Sequence, residues 1–565
     1  MYVKNKKKLS FSLFLSLCLL YYLFFSIPAN LNDDHGILIN AALQASQGSF
    51  PGIDFSYPHG VLPPLILGLF FKISQYFDIT WQFPYFLISS FLFLFFVYIL
   101  VKLINGIFNV SNYISSLVSL LLVSFCLNPW GGIYFDYISI NICFITIYLF
   151  FLGFNSLEDS NKFTSKSAIH FFILGLFVFI NPFLVKLTSI YISSAISIFL
   201  LYFIFFNQKF SKFKYKIFKY FFIGVIIFPF LVLLKFFNSF DNLNLIILNI
   251  LDPVFNADDL GQYSLISLSP RDFIIPVFSL VALSTFLFLH NKKIYNNSFL
   301  IYKLLVFFFM FQYIQAWGRS RFWLFIAITF LCIRTLLDIK KLNINKNQKL
   351  LMSIVFSSLT LLNISEFIRI NKRIFFRQKK FENNLFLNFK DTNLSFFKIK
   401  QDTNWGISSD VVEVSKILKS KLENKKIRNY SYFDDNAFLI PLITGIKPLQ
   451  NYTFFQINKT IFENKPLNIN SFNLGRPDNL VICLPLKPES FASNPHEFLL
   501  NKLDSKVSFK KFKINNSERY LRARKRDKNF QVAKKMFLDF TDIYMKNYEV
   551  EFYNESCILY KPKLK

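Results

Sequence analysis

The sequence predicts a polytopic α-helical membrane protein. It should have about eleven transmembrane helices plus juxtamembrane helices, and a soluble α/β domain at its C-terminal end. Three observations carry this expectation. Apolar residues make up 53% of the chain and charged residues 17%, whereas a soluble domain averages about 25% charged. The apolar residues gather in runs long enough to span a bilayer. The lysines gather between those runs, which is the pattern of cytoplasmic loops. A net charge of +29 also fits a nucleic-acid binder, but no recognition module is visible. The expected partner is therefore the membrane and not nucleic acid.

The first apolar run, Leu9–Ile27, follows Lys4, Lys6, Lys7 and Lys8. Because the rest of the chain is itself apolar, it reads as an uncleaved first helix and not as a signal peptide. Further runs are Phe83–Leu103, Tyr113–Leu127, Tyr137–Phe154, Ile169–Val185, Ile190–Phe206 and Tyr220–Phe236. The series continues with Phe273–Leu289, Phe299–Gln315, Phe322–Leu337 and Leu350–Leu362.

Val61–Phe77 is short, opens with Pro63-Pro64 and contains Lys72. Loop charge decides its reading. If it lies along the surface and the basic N-terminus is inside, the loops with Lys209 to Lys219, Lys292-Lys293 and Lys340 to Lys349 are all cytoplasmic. If it spans, they all flip outside. It is therefore expected to be an interfacial helix. The loops Leu31–Gly60, Asn128–Asp136, Lys186–Ser189, Asn238–Asp272 and Trp317–Arg321 then share the outer face with the polar tail.

The chain thus divides into a membrane domain, 1–367, and an outer α/β domain, 368–565. In the tail, Val411–Leu422 has helical spacing and Asn479–Leu484 reads as a short buried strand. Cys18, Cys126, Cys143 and Cys332 lie in apolar runs and are expected to pack. Cys483 and Cys557 lie in the polar tail. They are candidates for a disulfide if the tail sits in an oxidising compartment.

The segment Leu31–Pro64 is the most specific in the chain. It opens with Asp33-Asp34-His35-Gly36, followed by an amphipathic helix with Ile37, Ala41 and Ala45 spacing that Gly48 ends. Pro51, Asp54, Tyr57, Pro58, His59 and Gly60 precede the surface helix. Taken singly, acidic residues outside a membrane helix are solvated loop charges. The arrangement resembles the first outer loop of the GT-C class of integral-membrane glycosyltransferases, which includes protein O-mannosyltransferases and aminoarabinose transferases. Those enzymes carry an acidic pair, a small-residue helix, a glycine, a Pro-aromatic-Asp stretch and a Pro-initiated helix. The corresponding residues here are Asp33-Asp34 or Asp34-His35 for the pair, with the following Gly36 favouring Asp34, then Ala41-Ala42, Gly48, Pro51 to Phe55 and Pro63-Pro64.

The resemblance implies transfer of a sugar from a polyprenyl-phosphate donor to a lipid, glycan or protein acceptor of the cell envelope, such as lipopolysaccharide. Inversion at the anomeric carbon is part of that implication. So is a bacterial-type inner membrane, with the N-terminus cytoplasmic and the C-terminal domain periplasmic. The acceptor hydroxyl must lose a proton, and a carboxylate can take it. Asp34 is assigned as general base and Asp33 as the next candidate; adjacent carboxylates cannot both address one atom, so one serves the chemistry and the other positioning or metal contact. Cationic groups or a divalent metal ion must stabilise the leaving phosphate.

Asp136, at the start of a helix, is a candidate for positioning acceptor or cation, or a cap. Asp54, His35 and His59 are further candidates for that role, although lone histidines more often ligate nothing. Lys186 stands at a helix end, where snorkelling competes with phosphate binding. Arg319 and Arg321, in the turn Trp317-Gly318-Arg319-Ser320-Arg321, are paired-donor groups suited to phosphate. Arg321 stands where the class carries an acidic residue, which limits the comparison beyond Arg319.

Two other classes compete. A transporter or lipid-linked-sugar flippase would share the helices, but no internal repeat is apparent and charges gather at the outer ends. A non-catalytic assembly or sensor protein would need the tail and not Asp34.

Overall fold

The computed structural model describes residues 14–20, 33–55, 57, 60–77, 82–126, 135–160, 162–186, 189–206, 212–227, 229–231, 409–433, 439–449, 476–483, 546–554 and 557–563, with isolated positions between 329 and 368. In chain order the helices are α1 (Asp33–Ser46), α2 (Leu62–Tyr76), α3 (Gln82–Phe108), α4 (Asn112–Cys126), α5 (Phe135–Ser160), α6 (Ser165–Ile180), α7 (Ile190–Phe206), α8 (Lys214–Phe222), α9 (Ser409–Glu423) and α10 (Leu439–Thr444). Single π-helical turns, Asn181–Val185 and Ile223–Ile227, extend α6 and α8. The strands are β1 (Tyr430–Phe433), β2 (Asn479–Cys483), β3 (Tyr548–Tyr553) and β4 (Cys557–Pro562).

Contacts group the chain into two compact units that no single cut separates. One holds α3 from Leu87 onward and α4 to α8. The other joins α1 and α2 to α9, α10 and the sheet.

In the first unit, three helices among the described residues are long and apolar enough to cross a membrane: Leu87–Phe108, Ile138–Leu157 and Ser165–Val185. Each overlaps a run read from sequence. Predicted runs from Phe273 to Gln315 lie outside the described residues, and only isolated positions are described in the last two runs. Lipid-like surroundings remove the hydrophobic drive between helices, so small residues that admit close backbone approach do the joining. α6 and α8 illustrate this reciprocally. A Cβ at Gly175 would collide with the Phe221 carbonyl, and one at Gly224 with the Phe172 carbonyl. Aromatic rings fill the remaining space: Gly153 accepts the ring of Phe171, which meets Phe154 edge-on at 5.5 Å between centroids.

The second unit contains a four-stranded sheet in the order β1-β2-β4-β3. β1 and β2 are parallel, and the other pairings are antiparallel. β2 (NLVIC) is buried along its whole length, as a central strand should be. β3 alternates buried and exposed positions, and a bulge between Val550 and Phe552 bends it. α9 buries Val411, Val414, Ser415, Leu418 and Leu422 on one stripe. Lys421 on α9 bonds Glu551 on β3 and Asn479 on β2. Burial raises the Glu551 pKa, but the hydrogen bonds from Lys421 and Asn479 outweigh it and hold the carboxyl below its usual range.

Cys483 and Cys557 face each other across β2 and β4 and form a disulfide. They are 74 residues apart in sequence.

Two predictions follow from this packing. Gly224→Leu should lower the thermal midpoint of the purified protein, because overpacking a backbone contact costs on the order of 1–3 kcal/mol or more. Non-reducing peptide mapping should recover the Cys483–Cys557 link. The double serine variant should be less stable by about 4 kcal/mol on loop entropy, read as the denaturant midpoint of tyrosine signals in the sheet.

Candidate functional site

The acidic pair opens α1. Asp33 and Asp34 are its first two residues and His35 its third, but their side chains lie outside the described residues. The helix thus begins at the pair and not after Gly36. Carboxylates in a first turn meet the positive end of the helix dipole.

The seat of α1 is fully described. On one side lies α2. A Cβ at Gly68 would sit 2.8 Å from Ala45 Cβ and 2.9 Å from the Ala42 carbonyl oxygen, so Gly68, Ala42 and Ala45 set the approach of the two helices. On the other side lies the C-terminal segment. Asn40 Nδ2 donates to the Tyr432 hydroxyl at 3.0 Å. Gln47 clamps the chain after α10 with both ends of its amide. Its Nε2 donates to the Gly445 carbonyl at 2.8 Å, and its Oε1 accepts from the Lys447 N–H at 2.8 Å. Lys447 Nζ adds a bond to Ser49 Oγ at 2.9 Å.

Packed from both sides, α1 buries every residue from Leu38 to Gln44. The amphipathic helix expected from spacing is therefore corrected to a helix buried on all faces, since a second partner covers the face expected to be wet. Among the buried residues are Asn40 at 0% and Gln44 at 2% exposure, and Asn40 Oδ1 and Gln44 Nε2 have no hydrogen-bond partner.

Asp54 stands in a tight turn. Gly52, with φ +82°, donates its N–H to the Phe55 carbonyl, and the Asp54 carboxylate accepts from the Phe50 N–H. The group is exposed and serves its own turn. α2 begins at Pro63-Pro64 as expected, where missing N–H groups cost nothing. It buries Pro63, Pro64, Leu67, Gly68, Phe71 and Ser74 and exposes Ile66, Leu69, Ile73 and Tyr76.

In the other unit, Asp136 is the second residue of α5, its side chain outside the described residues. Lys186 follows the π turn of α6 in extended conformation, half-buried, and its N–H closes on the Asn181 carbonyl at 2.8 Å. Asn181, 1% exposed, donates its Nδ2 to the Ser139 carbonyl at 3.1 Å and to Cys143 Sγ at 3.0 Å. The first turns of α5 and the Lys186 connection therefore share one end of the bundle. Arg319, Arg321 and His59 lie outside the described residues. Among the described residues no three His, Cys, Asp or Glu side chains gather as metal ligands.

The sequence reading passed over Asn40, Gln44, Gln47 and Tyr432, and also Asn181 and Ser189. Two amides spaced four apart in a small-residue helix were visible as a signal. The partners of Asn40 and Gln47, nearly four hundred residues away, were not. No protein-family model, curated protein or solved structure matches the chain.

Gln47→Ala removes both bonds of the clamp and should cost about 1–3 kcal/mol. Hydrogen exchange should rise at residues 445–449, with α6 and α8 unchanged. Unaltered exchange at 445–449 would show that the clamp contributes nothing.

Proposed function

We propose that this protein is a membrane glycosyltransferase that moves a sugar from a polyprenyl-phosphate donor to an envelope acceptor on the non-cytoplasmic face. In this reading the chain has about eleven spans and an outer C-terminal α/β domain. The observation that carries it is that the acidic pair at the start of α1 belongs to the same unit as a disulfide-linked sheet. Disulfides persist in oxidising compartments, which supports an extracytoplasmic position for the pair. The exposed apolar edge of α2 (Ile66, Leu69, Ile73 and Tyr76) supports an interfacial helix beside the membrane.

In the transfer, the acceptor hydroxyl oxygen forms a bond to the anomeric carbon. The bond from that carbon to the phosphate oxygen breaks, and polyprenyl phosphate leaves with the bonding pair. The hydroxyl proton passes to the Asp34 carboxylate. Asp33, displaced about 100° around the helix, positions the acceptor. Lys186, Arg319 and Arg321 supply positive charge for phosphate, and Asp136, His35, Asp54 and His59 are the candidates for holding acceptor or cation.

The test is transfer in reconstituted membranes with a panel of radiolabelled polyprenyl-phosphate sugars and envelope acceptors. Asp34→Asn should lower the rate by about 10²–10⁴-fold, the range for a general base, with donor binding retained. Transfer that survives both Asp34→Asn and Asp33→Asn would remove the pair from the chemistry. Movement of the intact lipid-linked sugar between leaflets, with no transfer, would replace this reading by a flippase.

A further inference from the structure

We propose that the start of α7, with Ser189 and Lys186, binds the phosphate group of a polyprenyl-phosphate ligand; the lipid assignment rests on the glycosyl-transfer reading above. α7 is seventeen residues long, enough for a full helix dipole and a first turn of outward-facing N–H groups, the arrangement that favours anions. Ser189 directly precedes it, where a serine ordinarily accepts a hydrogen bond from the second or third N–H of the helix. It does not do so here. Ser189 is 3% exposed and its Oγ has no partner. A buried hydroxyl with nothing to bond is costly, so the position calls for a polar group from outside the chain.

The charge at this place selects an anion. The Ser189 N–H donates to the Lys186 carbonyl at 3.0 Å, and the Lys186 N–H to the Asn181 carbonyl at 2.8 Å. These bonds fix the backbone of the link at Lys186 and at Ser189. Lys186 stands four residues before the first residue of α7 and brings a positive charge to this part of the chain. Asn181 holds the link to α5 through Ser139. The first turn of α5 brings a second helix N-terminus to the same end of the bundle. A phosphate monoester supplies acceptor oxygens for the Ser189 hydroxyl and the α7 amides, and negative charge for Lys186. A neutral polyprenol supplies neither.

The experiment uses the full chain in detergent, with polyprenyl phosphate, the matching polyprenol and inorganic phosphate as probes, read by native mass spectrometry and thermal shift. Polyprenyl phosphate should bind and the polyprenol should not. Ser189→Ala should weaken binding about tenfold, and Ser189→Thr should restore it. Lys186→Gln should weaken it by at least as much. Without ligand, the thermal midpoint of Ser189→Ala should equal or exceed that of the parent, because the lost hydroxyl had no bond. A lowered midpoint with unchanged affinity identifies Ser189 as an ordinary cap and overturns the proposal. Ser189-dependent binding of inorganic phosphate alone overturns the lipid assignment. Transfer activity indifferent to Ser189 overturns this site and leaves the transferase reading standing. Ser189-dependent lipid binding with no transfer of any sugar does the reverse.

Discussion

Helix α1 is held between two surfaces that come from opposite ends of the chain, and the placement of the acidic pair depends on that grip. Against α2 the contact is steric. Gly68 meets Ala42 and Ala45 so closely that a methyl group at Gly68 would push the helices apart. Against the C-terminal segment the contact is directional, through Asn40 to Tyr432 and through both atoms of the Gln47 amide. Steric contact alone leaves a helix free to slide and turn. Directional bonds alone leave it free to tilt. Together they define both, and a helix so defined can hold its first turn at a fixed place.

The same division of labour recurs in the apolar unit. The Gly175 and Gly224 crossing brings α6 onto α8 through backbone contact, while Asn181 supplies direction by bonding Ser139 and Cys143. Polar bonds inside an apolar bundle are modest in energy, but an amide has few ways to satisfy itself there, so it fixes register. The π turn after α6 follows from this. Pro182 lacks an N–H, and the wider turn lets the Lys186 N–H reach back to the Asn181 carbonyl. The chain can then leave α6 and enter α7 within a few residues.

The parts legible in the sequence were those that depend on local pattern. Ile190–Phe206 and the Pro63-Pro64 start of α2 could be read because a helix in an apolar setting is written in consecutive residues. The strand in Asn479–Leu484 was legible because an unbroken apolar run of that length suits a central strand. What escaped was pairing across distance. β1 and β3 carry alternation or aromatic content but no mark of their partners. The burial of the far face of α1 depended on Tyr432, Gly445 and Lys447, which no spacing within residues 31–64 can announce. The Cys483 and Cys557 pair is intermediate: composition marked both as candidates, and only the register of β2 against β4 brought them together.

Helix geometry separates the two carboxylates that the sequence left adjacent. Positions 33, 40 and 44 fall on one face of α1 at 3.6 residues per turn, and Asn40, with Gln47 just past the helix end, shows that this face meets the C-terminal segment. Ala42 and Ala45 mark the face toward α2. Position 34 lies about 100° from position 33 and within about 20° of Ala45, on the side of α1 that turns toward α2. A group on the face that meets the sheet is suited to holding or orienting what that segment presents. The packing of α1 thus turns positions 33 and 34 toward different neighbouring elements, so two carboxylates adjacent in sequence do not share one setting.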